Sequence, residues 1–125
     1  MREAYRIVDE YEIIVSIHST LGYEAFSRGS KVAIFSGIKG DNLMFSSRVF
    51  GWPGDIPKEG YFWTNSVKPS DWKDVILRMI EVECSEWDVH HKSFGENIMS
   101  SDINNVKFLS LMKKLNIPLC DNKKI

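Results

Sequence analysis

Two short runs of apolar residues, with a polar turn and a helical stretch between them, constrain the fold of this chain most. The runs, Ile13–Ile17 and Lys31–Phe35, have the length and composition of buried strands. Residues 21–27 between them have helical character, and Gly29 suits the left-handed position that ends a helix. Strand, helix and strand within about 25 residues predict a βαβ unit with parallel strands and a right-handed crossover.

Helices and one long loop are predicted around this unit. Residues 2–11 have the spacing of a short helix, and residues 61–64 are consistent with a short third strand. Residues 37–60 lack periodicity and are rich in glycine and proline, which predicts a long loop of the kind that often carries function. The predicted fold class is α/β: a small Rossmann-like parallel sheet of two to three strands, with flanking helices and a helical C-terminal half. Residues 1–125 are predicted to form a single domain.

Three further helices are predicted in the C-terminal half. One follows Pro69 with Ser70 as its cap. Residues 85–88 resemble a capping box and predict the start of another short helix. The last helix is predicted over residues 102–115. Its predicted inward positions are Val106, Leu109, Met112 and Leu115.

Composition excludes several classes of function. Net charge is −1 and no basic stripe is present, so nucleic acid is not a predicted partner. No apolar stretch approaches the ~20 residues that cross a bilayer, so no transmembrane segment is predicted. Two cysteines without a secretion signal predict free thiols and a cytoplasmic location.

The turn that follows the first strand holds the residues best suited to chemistry. In open parallel sheets, ligands bind beyond the carboxyl ends of the strands, and a helix N-terminus there favours an anion. Ser19 and Thr20 supply hydroxyl donors, and His18 lies where it could donate to a phosphate. Gly22 allows close approach to the backbone, and Glu24 could accept hydrogen bonds from sugar hydroxyls.

The same residues are also consistent with purely structural roles. Ser19 or Thr20 could only cap the helix, Gly22 could only permit close packing, and Glu24 could only complement the helix dipole. The turn matches neither a P-loop nor a dinucleotide-binding glycine pattern. The residues alone leave both interpretations open.

A longer pattern across residues 5–90 carries a family resemblance. Residues 13–25, then Arg28-Gly29, then residues 31–33, resemble the donor-binding half of GT-B glycosyltransferases. The pattern is most similar to bacterial enzymes of surface and capsular carbohydrate biosynthesis. Residues 51–54 and 60–65 are also similar to that group, although this second match is weaker.

The resemblance implies roles for the residues of the turn. Ser19, Thr20 and Gly22 would contact the phosphates of a nucleotide-activated sugar, and Glu24 would contact its ribose or a neighbouring hydroxyl. The nucleotide-sugar would be the substrate, and neither a cofactor nor a metal is implied, because the helix N-terminus and side-chain donors stabilise the departing diphosphate. No residue is assigned a catalytic role.

The resemblance covers only the last part of a GT-B donor domain. We therefore expect the donor-binding portion of a glycosyltransferase of surface polysaccharide biosynthesis, inactive alone because the acceptor domain is missing. Its expected partner is a second copy or a separate N-terminal domain, and its expected location is the cytoplasm or the inner face of the membrane. The alternatives are a non-enzymatic module that self-associates through its sheet edge, and a phosphate-binding regulatory domain.

Several other polar and aromatic residues are not predicted to bind a metal or a ligand. His90 and His91 are neighbours on a predicted helix and point about 100° apart, so they are not expected to share a metal. Arg28 and Lys31 are predicted to be solvated cations at a helix end. Trp63 is predicted to pack against the sheet rather than stack on a base.

Overall fold

A parallel sheet of three strands organises the fold of the computed structural model, which describes residues 2–36, 49–51, 56–99 and 103–117. The strands are β1 (Ile13–Ile17), β2 (Lys31–Phe35) and β3 (Trp63–Thr64), in the order β1-β2-β3. Ile17 pairs with Phe35, and Phe35 pairs with Thr64. The predicted parallel strands, including the short third one, are confirmed.

The described residues also form five α-helices. Their bounds are α1 (Arg2–Glu10), α2 (Thr20–Ser27), α3 (Pro69–Glu81), α4 (Cys84–Ile98) and α5 (Val106–Lys114), and a 3₁₀ turn, Ile103–Asn105, precedes α5. Because side chains alternate along a strand, β2 presents Ile34 toward α2 and Phe35 toward α3. The α/β class with helices flanking a small parallel sheet is confirmed.

Aromatic side chains fill the core between the sheet and the helices. Phe26 of α2 stacks on Phe62 with ring centroids 4.9 Å apart, and Trp87 of α4 meets both rings edge-on. Trp63 is fully buried, and its indole N–H donates to the Pro57 carbonyl at 3.0 Å. Trp63 therefore packs in the core and holds the segment at Pro57 against the sheet, which confirms the prediction of a packing role.

β1 is less buried than its composition predicts. Val15 and Ile17 are 52% and 46% exposed, whereas Ser16 is buried. The physical reason is position, because β1 lies at the edge of the sheet and only one of its faces is well covered. The prediction of a buried strand holds for β2 and is wrong for β1.

Lys31 is not the solvated cation that its place after Gly29 suggested. Its side chain is buried, and Nζ donates to Glu12 Oε1 and to the Val82 carbonyl, both at 2.8 Å. Glu12 holds the pKa of Lys31 above its usual value. Lys31 therefore ties the start of β2 to the segments around Glu12 and Val82.

The helix starts in the C-terminal half differ from the predicted ones. α3 begins at Pro69 with Lys68 as its cap, because proline suits the first helical position and Ser70 then lies inside the first turn. α4 begins at Cys84, and its cap residue Glu83 makes no side-chain capping bond. The capping box at 85–88 is therefore wrong, and the helix that follows has 15 residues rather than being short.

The predicted inward face of the last helix is also wrong. No residue of α5 is buried, and Val106, Leu109 and Leu115 are exposed. The spacing of these residues correctly indicated a helix, but spacing alone does not say what a helix packs against.

Candidate functional site

The carboxyl ends of the three strands lie side by side at one edge of the sheet. The pairing of Ile17 with Phe35 and of Phe35 with Thr64 places His18, Ser36 and Asn65 in neighbouring positions just beyond the strands. This is the edge at which open parallel sheets bind their ligands. It is also the edge at which α2 begins.

The first turn of α2 is closed by a serine cap. Ser19 has extended backbone angles, and its Oγ accepts a hydrogen bond from the Leu21 N–H at 3.2 Å. The Gly22 N–H also donates to the Ser19 carbonyl, at 3.1 Å. The Ser19 hydroxyl keeps its own hydrogen for donation, and both Ser19 and Thr20 are exposed. The sequence interpretation of Ser19 as a helix cap is therefore confirmed. The hydroxyls of Ser19 and Thr20 both remain able to donate at the start of α2.

His18 carries the chain from β1 into α2 with a left-handed backbone. Its φ of 53° is unusual for a residue other than glycine. Such a conformation costs on the order of 1 kcal/mol and is held by the surrounding structure. The histidine side chain is exposed at the carboxyl edge, beside the Ser19 cap.

Gly22 is needed for the packing of α2 on β1. A Cβ atom at this position would lie 2.6 Å from both Cβ and Oγ of Ser16. Ser16 is buried, and its Oγ donates to the Ser19 carbonyl at 3.4 Å. The space that the missing side chain leaves is thus taken up by Ser16 on the sheet side of the helix.

Glu24 lies on the part of α2 that approaches α1. Its carboxylate accepts a hydrogen bond from the Tyr5 hydroxyl, which raises the pKa of Tyr5. Arg28 sits over the Tyr5 ring, 5.4 Å from the centroid, and pairs with Asp9. These contacts join α1 to α2. The structure gives Glu24 this structural partner, and its contact with a sugar stays a prediction.

Ser36 is a polar residue of this edge that the sequence interpretation did not single out. It is 1% exposed, and its Oγ has no hydrogen-bond partner among the described residues. Alternation along β2 places Ser36 on the same face as Ile34, whose Cδ1 would lie 3.7 Å from a Cβ at Gly22. Ser36 is therefore under α2, one pleat closer to its N-terminus. A serine directly after a buried strand was the available signal.

A second polar region lies beyond β3, where α3 begins. A cleft of about 130 Å³ is lined by Glu59, Asp71, Asp74 and Arg78, among others. Hydrogen bonds from Ser66 and Ser70 lower the pKa of Asp71. Arg78 Nη1 donates to the Gly60 and Tyr61 carbonyls at 3.2 and 2.8 Å, so backbone already engages this cation. Its carboxylates make this cleft unsuited to a phosphate.

The two histidines of α4 have separate surroundings. His91 Nε2 lies 2.7 Å from the Phe26 carbonyl, and the His90 ring stacks on Tyr61 at 3.5 Å. Within the described ranges, no group of three histidine, cysteine or acidic side chains is arranged to hold a metal ion. Residues 37–48 and 52–55, which make up most of the predicted long loop, lie outside the described residues.

A protein-family model described as "putative O-antigen biosynthesis protein" matches residues 1–116. The chain belongs to this family. The match spans all three strands, all five helices and every residue of the candidate site. Comparison with curated proteins and with solved structures gave no match.

Membership in the O-antigen biosynthesis family confirms the broad part of the predicted function, a link to surface carbohydrate biosynthesis. Among the helices that the structure describes, none is both long and apolar enough to span a bilayer.

Proposed function

We propose that this member of the O-antigen biosynthesis family binds the diphosphate of a nucleotide-activated sugar at the carboxyl edge of β1 and β2. In this proposal the chain is the donor-binding portion of a GT-B-type glycosyltransferase. The acceptor site would come from another domain or chain, so the isolated chain would bind without transferring sugar.

The observation that carries the proposal is the unpaired hydroxyl of Ser36 under the first turn of α2. A buried hydroxyl without a partner costs about 1–3 kcal/mol. An oxygen acceptor placed at the start of α2 would satisfy it. The same position is within the influence of the helix N-terminus, which favours negative charge. A phosphate oxygen fits both requirements.

The exposed residues of the turn supply the remaining contacts. The hydroxyls of Ser19 and Thr20 can each donate to phosphate oxygens, and hydrogen bonds to a charged acceptor are about twice as strong as neutral ones. His18 can add a further donor in its protonated form. No covalent step is needed, because the residues hold the departing diphosphate rather than attack it.

Titration calorimetry of the chain with uridine, guanosine, cytidine and thymidine diphosphates tests the proposal. The Ser19→Ala/Thr20→Ala and Ser36→Ala variants serve as probes, and Ser93→Ala on the exposed part of α4 is the matched control. We expect at least one diphosphate to bind. Ser36→Ala should weaken that binding about tenfold, the worth of one hydrogen bond to a charged group, and the double variant, which removes two donors, should weaken it about a hundredfold.

Ser36→Ala separates a ligand role from a structural one. Removing an unpaired buried hydroxyl should leave the melting temperature unchanged or raise it, while binding weakens. Absence of binding at millimolar concentration for every nucleotide would refute the donor site. Binding that both probe variants leave unchanged would place the ligand elsewhere and equally refute it.

A second candidate function rests on the exposed edge of the sheet. β1 ends the strand order, and the apolar side chains of Val15 and Ile17 on it are exposed. An open apolar edge strand is a surface for pairing with another chain. Light scattering on the eluting protein tests this alternative: a dimer that Val15→Lys converts to a monomer supports an interaction module, and a wild-type monomer contradicts self-association.

A further inference from the structure

α5 has large apolar side chains on one side, and none of them is buried. Phe108, Leu111, Met112 and Leu115 fall within an arc of about 100° around the helix. Leu111 and Leu115 are 52% and 58% exposed, and no residue of the helix is buried. The apolar side is therefore no part of the buried core, although Met112 is half-buried.

The opposite side of α5 holds two of its three lysines. Ser110, Lys113 and Lys114 lie there with the exposed Val106, and Lys107 and Leu109 lie at its two borders. Residues 103–117 contain three lysines and no acidic residue. Residues 106–125 carry a formal charge of +4, although the whole chain has a net charge of −1. Positive charge is therefore concentrated at this end of the sequence.

We propose that α5 lies in the surface of an anionic lipid membrane and docks the protein there. A helix with large apolar side chains on one side and lysines on the other lies in the plane of the interface, with its apolar side among the acyl chains. The helix, nine residues or about 14 Å long, is too short to span a bilayer. The lysines of the opposite side and its border would lie at the level of the lipid headgroups, where they attract the phosphates.

The charges favour a lipid surface over a second copy of this helix. Pairing two α5 helices through their apolar sides would leave the lysines of both helices on the outer sides of the pair, and neither helix offers an acidic residue to them. An anionic membrane instead attracts each lysine, by about a factor of five in partitioning.

Sedimentation of the full chain with lipid vesicles tests this inference. One set of vesicles is phosphatidylcholine alone, and the other is three parts phosphatidylcholine to one part phosphatidylglycerol. We expect binding to the anionic vesicles only, and loss of that binding at about 1 M salt, where the Debye length falls to about 3 Å.

Two double variants identify the helix as the docking element. Lys113→Gln/Lys114→Gln should lower partitioning about thirtyfold, and Leu111→Asn/Leu115→Asn should lower it to background. Matched controls remove exposed residues of the same types elsewhere, Lys73→Gln/Lys92→Gln and Ile80→Asn/Val89→Asn, and should bind like the wild type. Because α5 buries nothing, its variants should melt at the wild-type temperature.

Three results would overturn the inference. One is failure of the wild type to sediment with anionic vesicles. Another is sedimentation that both α5 variants retain. The third is a dimer, measured by light scattering, that Leu111→Asn/Leu115→Asn dissociates, since a second copy would then cover the apolar side.

Discussion

Replacement of Gly22 by alanine tests the close packing of α2 on β1. In a helix interior, alanine is favoured over glycine by about 1 kcal/mol. At this position, however, the new methyl would lie 2.6 Å from Ser16 Cβ. Ser16 Cβ is attached directly to the β1 backbone, so no rotation of the side chain can move it away.

The expected magnitude follows from these two opposing effects. Overpacking of this kind costs about 3 kcal/mol when the neighbour cannot move aside. Subtracting the gain in helix propensity leaves a net loss of about 2 kcal/mol. For a domain of this size, about 4 °C of melting temperature corresponds to 1 kcal/mol, so Gly22→Ala should melt about 8 °C below the wild type.

Gly95 of α4 provides the matched control. It is also helical, and a Cβ built there meets no atom within 4 Å. Gly95→Ala should therefore stabilise the protein by about 0.4–1 kcal/mol. Thermal unfolding followed by circular dichroism measures both variants.

A double variant assigns the loss to the contact itself. Ser16→Gly removes the atoms that the new methyl would meet, so Gly22→Ala should cost little in that background. We expect a coupling energy of about 2–3 kcal/mol between the two sites. If Gly22→Ala instead raises the melting temperature as Gly95→Ala does, the reasoning about the Ser16 contact is refuted.

Two further predictions concern the buried lysine of β2. Lys31→Met should lower the free energy of unfolding by about 1–2 kcal/mol in urea denaturation, because the Val82 carbonyl loses its donor. The control Lys73→Met, on the exposed side of α3, should change it little. Equal effects of the two variants would contradict the role of Lys31. The hydrogen bond from Lys31 lowers the pKa of Glu12 below its ordinary value of 4.5. The stability that Glu12 contributes is therefore fully present above pH 4.5, and it is lost as the pH falls through the lowered pKa of the folded state. Glu12→Gln should therefore be less stable than the wild type at neutral pH, with the gap closing in acid; a gap that is constant with pH would refute this linkage.

The sequence determined the βαβ unit almost residue by residue. The apolar runs of β1 and β2, the Ser19 cap and Gly29 act locally, so their pattern predicted the correct elements and bounds. The same local logic located α3 and α5. It misplaced the starts of α3 and α4, because Ser70 and Ser85 are good caps and only the folded chain decides which residue occupies the cap position.

Local sequence patterns could not predict which side chains are buried. Whether Val15, Lys31 or Leu115 is buried depends on which element lies against it, and the contacts that decide this join residues far apart in sequence. Lys31 shows the point most clearly, because a buried lysine is tolerable only when acceptors such as the distant Val82 carbonyl are brought to it.

The candidate site divides in the same way. A polar turn at the carboxyl end of a strand, with His18, Ser19 and Thr20, is a property of the sequence, since strand and helix order alone place it at the edge where open parallel sheets bind ligands. The tertiary structure decided that Gly22 packs on Ser16, that Glu24 meets Tyr5, and that Ser36 brings an unpaired hydroxyl under α2. Each of these features depends on how separate elements lie against each other, and a pattern confined to one element cannot specify it.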